Sequence, residues 1–431
     1  MKEFSFVHCA DLHLGCRQFN EDERWEDFGR TFGQVVDYAL EHKTDYVLIA
    51  GDLFHHRSIS APTLSQAIFY LAKLKEAGIA VIAIEGNHDK AFYLEKDSWM
   101  SFLHNQGYFS LLKPALGTEG LELLPYDGEK GSILSTAQVR FVGLGYLGAT
   151  TKQRLDELKD LLEPAKDFTV VLLHAGADKL LGQDLAGVKG EVFEGLADKV
   201  DYFALGHIHS RQELGELCYN PGAPECVHID EERYGSEKGF YHVQVKEKEK
   251  KVKFIPSRRR PVYRFSVDVG GITDPGQAEN RALGFLRQKD WEPGERPIVQ
   301  LILHGAIGFS SYAIDTKALE DRIRQDFSCL AAEVINNTNL PELGTDGGVL
   351  EFDRNAIERH VIREMIGQEK PELQGCLDEM AELVLAVKRN VLAGAGEAEI
   401  VAALEQMAEL AAKSETEAEE GGSGEVKKPA S

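Results

Sequence analysis

Aspartate, asparagine and histidine residues recur in short motifs of a kind that could bind metal ions and act on phosphate esters. The motifs are D-x-H, G-D, G-N-H-D, a single H and G-H-x-H, in that order along the chain. Each follows directly after a short apolar run that reads as a β-strand. Because sites in open α/β sheets assemble at the carboxyl ends of the strands, we expect these side chains to meet at one edge. The candidate metal ligands are Asp11, His13, Asp52, Asn87, His174, His207 and His209.

The mixture of ligand types indicates which ions the site would hold. Carboxylate, amide and imidazole donors together suit manganese, iron or zinc better than calcium or magnesium, which prefer oxygen ligands alone. Asp52 lies centrally among the motifs and could bridge two ions. Two such cations can hold the attacking and leaving oxygens of a phosphodiester and activate water at neutral pH. The sequence therefore predicts a dinuclear metal site that hydrolyses phosphoesters.

One histidine is left over for a role other than metal binding. His88 follows the ligand Asn87 directly, so it could stabilise the charged phosphate or protonate the leaving oxygen. Asp89, the next residue, could orient the His88 ring. His8 lies inside a predicted strand, and we expect it to be a buried core residue. Cys9 and Cys16 flank the first motif and are expected to be structural.

Alternating strands and helices must position these residues. Strands separated by helices of this length indicate βαβ units with covered sheets. The first domain is therefore predicted to be α/β and to end near residue 245. Strands are predicted at 4–9, 46–50, 79–84, 140–144, 169–173 and 202–205, and helices at 22–41, 64–77 and 155–162.

A strongly charged segment follows the first predicted domain. The segment 246–260 has eight basic and two acidic residues, which fits either a solvated hairpin or a contact with DNA phosphates. Strands at 263–269 and 297–303 and helices at 277–288 and 316–325 predict a small module. Only helical periodicity follows, with an acidic, then Gly/Ser/Lys/Pro-rich tail that we expect to be disordered. The predicted domains are 1–245, 246–345, 346–413 and 414–431.

Composition excludes several classes of protein. The formal net charge is 48 − 71 = −23, which argues against a generic nucleic-acid binder with a basic surface. No apolar run approaches the ~18 residues of a membrane span, so we expect no membrane partner. The six cysteines form no CxxC pair and read as reduced thiols, which predicts a cytoplasmic protein.

The series of motifs resembles that of calcineurin-like metallophosphoesterases. The segment GDLFHHRSISAPTLSQAIFYLAKLKEAGIAVIAIEGNHD is similar to DNA double-strand-break nucleases of the SbcD type, and DSWMSFLHNQGYFSLL and EKGFYHV are similar to their YhaO branch. The resemblance covers about residues 3–245. It implies an α/β fold: a two-sheet α/β sandwich metallophosphoesterase domain, a small α+β capping domain and a C-terminal helical region.

The same resemblance implies roles for individual residues. His88 would be the catalytic histidine, assisted by Asp89. His55 would help to place the DNA strand for exonuclease work, and Arg57 would contact a phosphate. Two divalent ions, preferably manganese, would be bound, the first by Asp11, His13, Asp52 and His209 and the second by Asp52, Asn87, His174 and His207.

The resemblance also implies an activity and partners. The chain would be a manganese-dependent 3′→5′ DNA exonuclease with single-strand endonuclease activity in DNA repair. Its C-terminal helices would dock an SbcC-type ABC ATPase, and two copies could form a homodimer through helices of the phosphoesterase domain. One alternative is a hydrolase of a small phosphodiester or phosphomonoester, which the net charge of −23 favours. Another is a scaffold that recruits the ATPase, although a scaffold would not need the full ligand set.

Overall fold

The structure is a computed structural model. It describes residues 3–92, 95–117, 120–175, 190–234, 237–291, 296–339 and 376–392, with a few single positions between 362 and 410. The chain divides into two compact units, Met1–Glu342 and Leu343–Ser431. The predicted tail 414–431 and most of the predicted helical region 346–413 lie outside the described residues.

Strands and helices alternate through most of the first unit. The strands are β1 (Glu3–Cys9), β2 (Tyr46–Ala50), β3 (Ala80–Ile84), β4 (Ser110–Leu111), β5 (Ala115–Gly117), β6 (Gly120–Glu122), β7 (Ile133–Ser135), β8 (Val139–Gly145), β9 (Phe168–His174), β10 (Tyr202–Gly206), β11 (Gln212–Leu214), β12 (Cys218–Asn220), β13 (Gly239–Lys246), β14 (Glu249–Pro256), β15 (Val262–Asp268), β16 (Ile298–Ala306) and β17 (Ala331–Asn339). The α-helices are α1 (Asp22–His42), α2 (Ala61–Glu76), α3 (Trp99–Asn105), α4 (Thr151–Leu161), α5 (Gly190–Glu194), α6 (Pro275–Leu286), α7 (Thr316–Asp326) and α8 (Leu377–Leu392). Short 3₁₀ helices include Ile229–Tyr234.

Two six-stranded sheets form the body of the first unit. Their strand orders are β14-β13-β1-β2-β3-β4 and β11-β12-β10-β9-β8-β7. The central strands of each sheet run parallel, as the predicted βαβ units require. All six strands predicted in the first domain are present, within two residues of their predicted ends.

Apolar side chains fill the space between the two sheets. Phe6 and Leu48 of the first sheet belong to the same buried cluster as Phe141 and Leu172 of the second. The outer face of the first sheet packs against α1 and α2, and that of the second against α4 and α5. This arrangement confirms the predicted two-sheet α/β sandwich.

The charged segment 246–260 belongs partly to the first sheet. β13 and β14 form a hairpin in which Lys246 pairs with Glu249, so β14 extends the first sheet to Pro256. The predicted boundary at residue 245 therefore cuts through this hairpin, and the change of sheet comes between β14 and β15. An edge strand tolerates alternating lysines because one of its faces remains in water.

A smaller module follows the hairpin. Its three parallel strands, β15, β16 and β17, form a sheet whose buried side chains pack with those of α6 and α7. β17 was not predicted, because its only large apolar residues, Val334 and Ile335, do not make up the apolar run of a buried strand. The linker residue Arg260 joins this module to the larger domain through two hydrogen bonds to Asp27 on α1, of 2.7 and 3.0 Å.

The second unit is described mainly through α8. Met380 and Cys376 pack with Ile366 and Leu410 in a small apolar cluster. Among the helices that the structure describes, none combines the length and apolar content of a membrane crossing.

Candidate metal centre

The predicted ligands meet where the carboxyl ends of the parallel strands in one sheet lie next to those in the other sheet. Asp11 and His13 follow β1, Asp52 follows β2, and Asn87 follows β3 in the first sheet. In the second sheet, β9 ends at His174, and β10 is followed by His207 and His209. The structure thus brings together all seven predicted ligands.

Unusual backbone conformations turn these side chains inward. Asp11, His13, Asp52 and His207 have positive φ angles of 52°, 46°, 51° and 90°, a region that residues other than glycine rarely adopt. Such conformations persist only where the surrounding structure enforces them, and they cluster at functional sites. A Cβ atom on Gly86 would lie 2.1 Å from the Asp52 carboxylate. Only glycine at this position therefore lets the Asp52 side chain reach the site.

One group of ligand atoms surrounds His174. Its Nε2 lies 3.1 Å from Asp52 Oδ2 and 3.2 Å from Asn87 Oδ1. The same Asn87 oxygen lies 3.1 Å from His207 Nδ1. The His174 Nδ1–H donates to the Ala50 carbonyl at 2.8 Å, which fixes the ring so that Nε2 faces the group. Four side chains therefore converge on one point, as a metal ion requires.

A second group surrounds His13. Its Nε2 lies 3.1 Å from Nε2 of His209 and 3.9 Å from Asp52 Oδ2. Ligand atoms of Asp11, His13 and His209 lie within 4.8 Å of one another, as do those of Asp11, Asp52 and His174. Two imidazole nitrogens so close need a proton or a cation between them, because neutral acceptor nitrogens repel. The donor set thus fits two divalent cations, with Asp52 contacting both groups.

The electrostatics of the site favour bound positive charge. Burial lowers the pKa of His174, but the adjacent Asp52 and Asp11 carboxylates outweigh it and raise this pKa to about 9. Burial would raise the pKa of Asp52, yet the contact with His174 brings it below its ordinary value. An imidazole that takes up a proton for this reason can exchange it for a divalent cation.

His88 lies beside the candidate ligands but belongs to neither of the two groups of ligand atoms. Its backbone N–H donates to Asp52 Oδ1 at 2.8 Å, and its Nδ1–H donates to the His55 carbonyl at 2.7 Å. The ring of His88 stands edge-on to that of His13, with centroids 5.1 Å apart. The fixed Nδ1–H leaves Nε2 as the atom that can meet a substrate.

Asp89 has a different role from the predicted orientation of the His88 ring. Its buried carboxylate accepts backbone N–H bonds from Leu53, Phe54 and Gly86, at 3.0 to 3.2 Å. Successive side chains point apart, so Asp89 faces the loop after β2 while His88 faces the site. Asp89 therefore clamps the two ligand loops together, and the His55 carbonyl orients His88.

His55 and Arg57 both lie at the rim of the centre. Nδ1 of His55 is 3.3 Å from Nδ1 of His13, and burial, followed by the charge of His56, lowers the pKa of His55 to about 4. This places a neutral ring there at pH 7. Arg57 is exposed, and its guanidinium donates to the Asn87 carbonyl at 3.4 Å.

A cleft of about 540 Å³ opens beside His55, between the larger domain and the smaller module. Arg17 and His228 line it from the domain, and Gln300 and Glu333 line it from the module. His55 lines this cleft and also contacts His13, so the cleft lies next to the candidate metal centre.

Several residues around the site were not predicted from the sequence. Glu231 forms a hydrogen bond with His209, which is 22 residues away in sequence. Glu231 lies in a charged segment and does not follow a predicted strand, so no motif marked it. Tyr146 packs 5.5 Å from His207, between ring centroids, and the Lys90 ammonium lies 5.2 Å from the Tyr146 ring. His8 is buried as predicted and bonds to the Tyr202 hydroxyl and the Leu205 carbonyl.

The larger domain is similar to proteins of known family. Residues 4–211 match the calcineurin-like phosphoesterase family, which confirms the resemblance in the motifs. Curated relatives are named DNA double-strand break repair protein Mre11: that of Archaeoglobus fulgidus is 34% identical over 212 residues (47% of this chain, 45% of the relative). Those of Sulfurisphaera tokodaii and Methanocaldococcus jannaschii are 29% and 32% identical over 242 and 246 residues, each 55% of this chain and 58% and 62% of the relative. The chain thus spans about half the length of the curated relatives it matches.

Proposed function

We propose that the calcineurin-like phosphoesterase domain of this chain is a metal-dependent nuclease that hydrolyses DNA phosphodiester bonds during DNA repair. The observation that carries the proposal is the convergence of seven ligand side chains and His88 at one edge of the paired sheets. The relatives named as DNA double-strand break repair proteins support DNA as the substrate.

Two divalent cations, preferably manganese, are the proposed cofactors. Asp11, His13 and His209 would hold one ion, Asn87, His174 and His207 would hold the other, and Asp52 would contact both. When bound, such a pair of ions activates a water molecule and neutralises charge that develops on the phosphate. The mixed nitrogen and oxygen donors support manganese over calcium or magnesium.

His88 is the proposed catalytic acid. The His55 carbonyl can only accept, so it keeps the proton on His88 Nδ1 and directs Nε2 toward the substrate. A protonated Nε2 can donate to a phosphate oxygen or to the leaving oxygen. Asp89 supports this geometry indirectly, because its carboxylate joins the loops that carry Asp52 and His88.

Cationic side chains at the rim are the proposed contacts with the DNA backbone. Arg57 is exposed and contacts the backbone carbonyl of Asn87. Lys90, three residues after Asn87, forms no ion pair with any described residue and lies over the Tyr146 ring. These cations provide local attraction for phosphates despite the net charge of −23. His55, beside the cleft, is proposed to place the strand for 3′→5′ exonuclease cleavage.

The proposed partners act outside the metal centre. We propose that an SbcC-type ABC ATPase docks on the C-terminal helices, where α8 carries Leu383, Val384 and Val387 at helical spacing. A homodimer is proposed through the phosphoesterase helices, because α2 exposes 57% of Phe69 and α3 exposes 38% of Phe102.

Cleavage of labelled DNA tests the proposed function. The wild-type chain is incubated with 3′-recessed and single-stranded DNA in the presence of Mn²⁺, Mg²⁺ or EDTA. We expect Mn²⁺-dependent shortening of the DNA, reduced at least ~100-fold in His88→Ala, the usual loss of a positioned acid. His104 on α3 is the matched control: its ring contacts the backbone carbonyls of Phe109 and Glu129 and none of the candidate metal ligands, so His104→Ala should keep its activity. Full activity of the His88 variant would exclude the catalytic role.

A hydrolase of small phosphodiesters or phosphomonoesters is the second candidate. The net charge of −23 favours it, because an acidic protein attracts DNA poorly. Bis-p-nitrophenyl phosphate in the same assay separates the two candidates. Turnover of the small diester without attack on DNA, also in the presence of the ATPase partner, would favour the second.

A further inference from the structure

The 3₁₀ helix Ile229–Tyr234 places a carboxylate behind one of the metal ligands. The His209 Nδ1–H donates to Glu231 Oε1 at 2.6 Å, on the side of the ring opposite the metal centre. Nε2 of the same ring faces His13 in that centre, 3.1 Å away. The bond to Glu231 therefore selects the tautomer and the ring orientation that present Nε2 to a cation.

Glu231 is itself held in place from several directions. Its Oε1 also accepts the backbone N–H of His228 at 3.0 Å, and its Oε2 accepts that of Val227 at 3.2 Å. The Lys238 ammonium donates to Oε2 at 2.6 Å and to the backbone carbonyl of His209 at 2.8 Å. The buried Lys238 therefore holds both the Glu231 carboxylate and the main chain of His209, the candidate ligand that Glu231 contacts.

The same short helix is fixed to the smaller module. Ile229 packs in a buried cluster with Ile298 and Ala331, which belong to β16 and β17. Glu232 forms an ion pair with Arg259 at 2.9 Å. Neighbouring residues of the helix thus contact either the module and its linker or the metal ligand, which leaves Glu231 little freedom to move away from His209.

We propose that Glu231 is a positioning residue of the metal centre, which holds His209 through its Nδ1–H and is fixed there by Lys238. This inference rests on the proposed function, because it assumes that His209 binds a divalent cation. A carboxylate behind a ligating histidine fixes the ring and makes its nitrogen a better donor to the metal, and loss of such a partner typically weakens metal binding 10- to 100-fold.

Calorimetric titration of the full apo chain with Mn²⁺ tests the inference without any assay of cleavage. The wild type should bind two ions. The isosteric variant Glu231→Gln should bind one of them roughly 10- to 100-fold more weakly and keep the other unchanged. Glu157→Gln is the matched control: its carboxylate also accepts from a cation, Arg154, and from a backbone N–H, that of Leu121, but it lies on α4 and does not contact His209, so this variant should bind both ions as the wild type does.

A double-mutant cycle with His209→Gln separates positioning from a general structural role. Because Glu231 acts through His209, Glu231→Gln should cause no further loss of Mn²⁺ affinity in the His209→Gln background. Electron paramagnetic resonance adds a signature: at two equivalents of Mn²⁺ the wild type should give the spectrum of a coupled pair. Glu231→Gln should give that of isolated ions until excess Mn²⁺ restores the coupling.

Three results would overturn the inference. They are unchanged affinity for both ions in Glu231→Gln, an equal loss at both sites, and an additive loss in the His209→Gln background. A wild-type chain that binds no Mn²⁺ at all would instead refute the metal centre itself, and the proposed function would fail with it.

Discussion

Asp27 on α1 is the centre of a buried charge network that joins the two parts of the first unit, and its removal should destabilise the protein strongly. The Asp27 side chain is 1% exposed. Its carboxylate accepts from Arg24 Nη1 at 2.6 Å and from Arg260 Nε at 2.7 Å, and it also bonds to Arg30. Asp27→Asn would leave these guanidinium groups without their shared counter-charge.

The structure sets the size of the expected effect. Removing one partner from a buried ion pair typically costs about 3–5 kcal/mol, because a charge remains buried and uncompensated. Arg24 keeps a second carboxylate, Glu225 at 3.1 Å, so we expect about 3 kcal/mol for Asp27→Asn, the lower end of that range. At roughly 2–4 °C per kcal/mol, the midpoint of thermal unfolding should fall by about 6–12 °C.

Asp37→Asn provides a matched control on the same helix. Asp37 is 68% exposed and lies 3.5 Å from Lys73, so its removal should change stability by less than about 0.5 kcal/mol. Both variants are compared with the wild type by calorimetry. Equal melting temperatures for the two variants would refute the reasoning that Asp27 is a buried electrostatic link.

The pH dependence gives a second check on Asp27. Burial would raise the pKa of Asp27, but its hydrogen bonds and charge interactions with Arg260 and Arg24 bring it below the ordinary value. A carboxyl whose folded pKa is lowered contributes stability above its unfolded pKa of about 3.9, and this contribution is lost as the pH falls through the folded pKa. The difference in stability between wild type and Asp27→Asn should therefore be full at pH 7 and shrink below about pH 4. A difference that stays constant down to acid pH would contradict the assignment.

Two further substitutions test the site. Gly86→Ala places a Cβ 2.1 Å from the Asp52 carboxylate, so it should displace Asp52 and abolish tight Mn²⁺ binding in calorimetry, whereas Gly78→Ala, with open space around it and a positive φ, should affect only stability. Lys90→Met should weaken DNA binding and lower the salt slope of log affinity by about 0.9, as measured by fluorescence anisotropy, because one phosphate contact is lost. Lys73→Met on α2 should leave that slope unchanged, and equal slopes for wild type and Lys90→Met would exclude the contact.

The sequence by itself determined which side chains meet at the candidate metal centre. An apolar run that ends in an aspartate or histidine predicts both a buried strand and a ligand at its carboxyl end. Since parallel strands bring these ends to a common edge, the positions of Asp52, Asn87 and His174 along the chain were enough to predict that they meet. The small module was harder to predict, because β17 has only two large apolar residues, Val334 and Ile335, and no periodic signal.

Only the tertiary structure decided what holds the ligands in place. Asp89 follows His88 directly, which suggested that it orients that ring, yet its carboxylate binds three backbone amides of the two ligand loops. Asp27 and Arg260 are 233 residues apart, and neither lies in a motif. The candidate ligands can be found from the sequence because each belongs to a short motif directly after an apolar run. The hydrogen bonds and ion pairs that support these ligands join segments that are distant in sequence. Such contacts form only when the chain folds and buries these segments against each other.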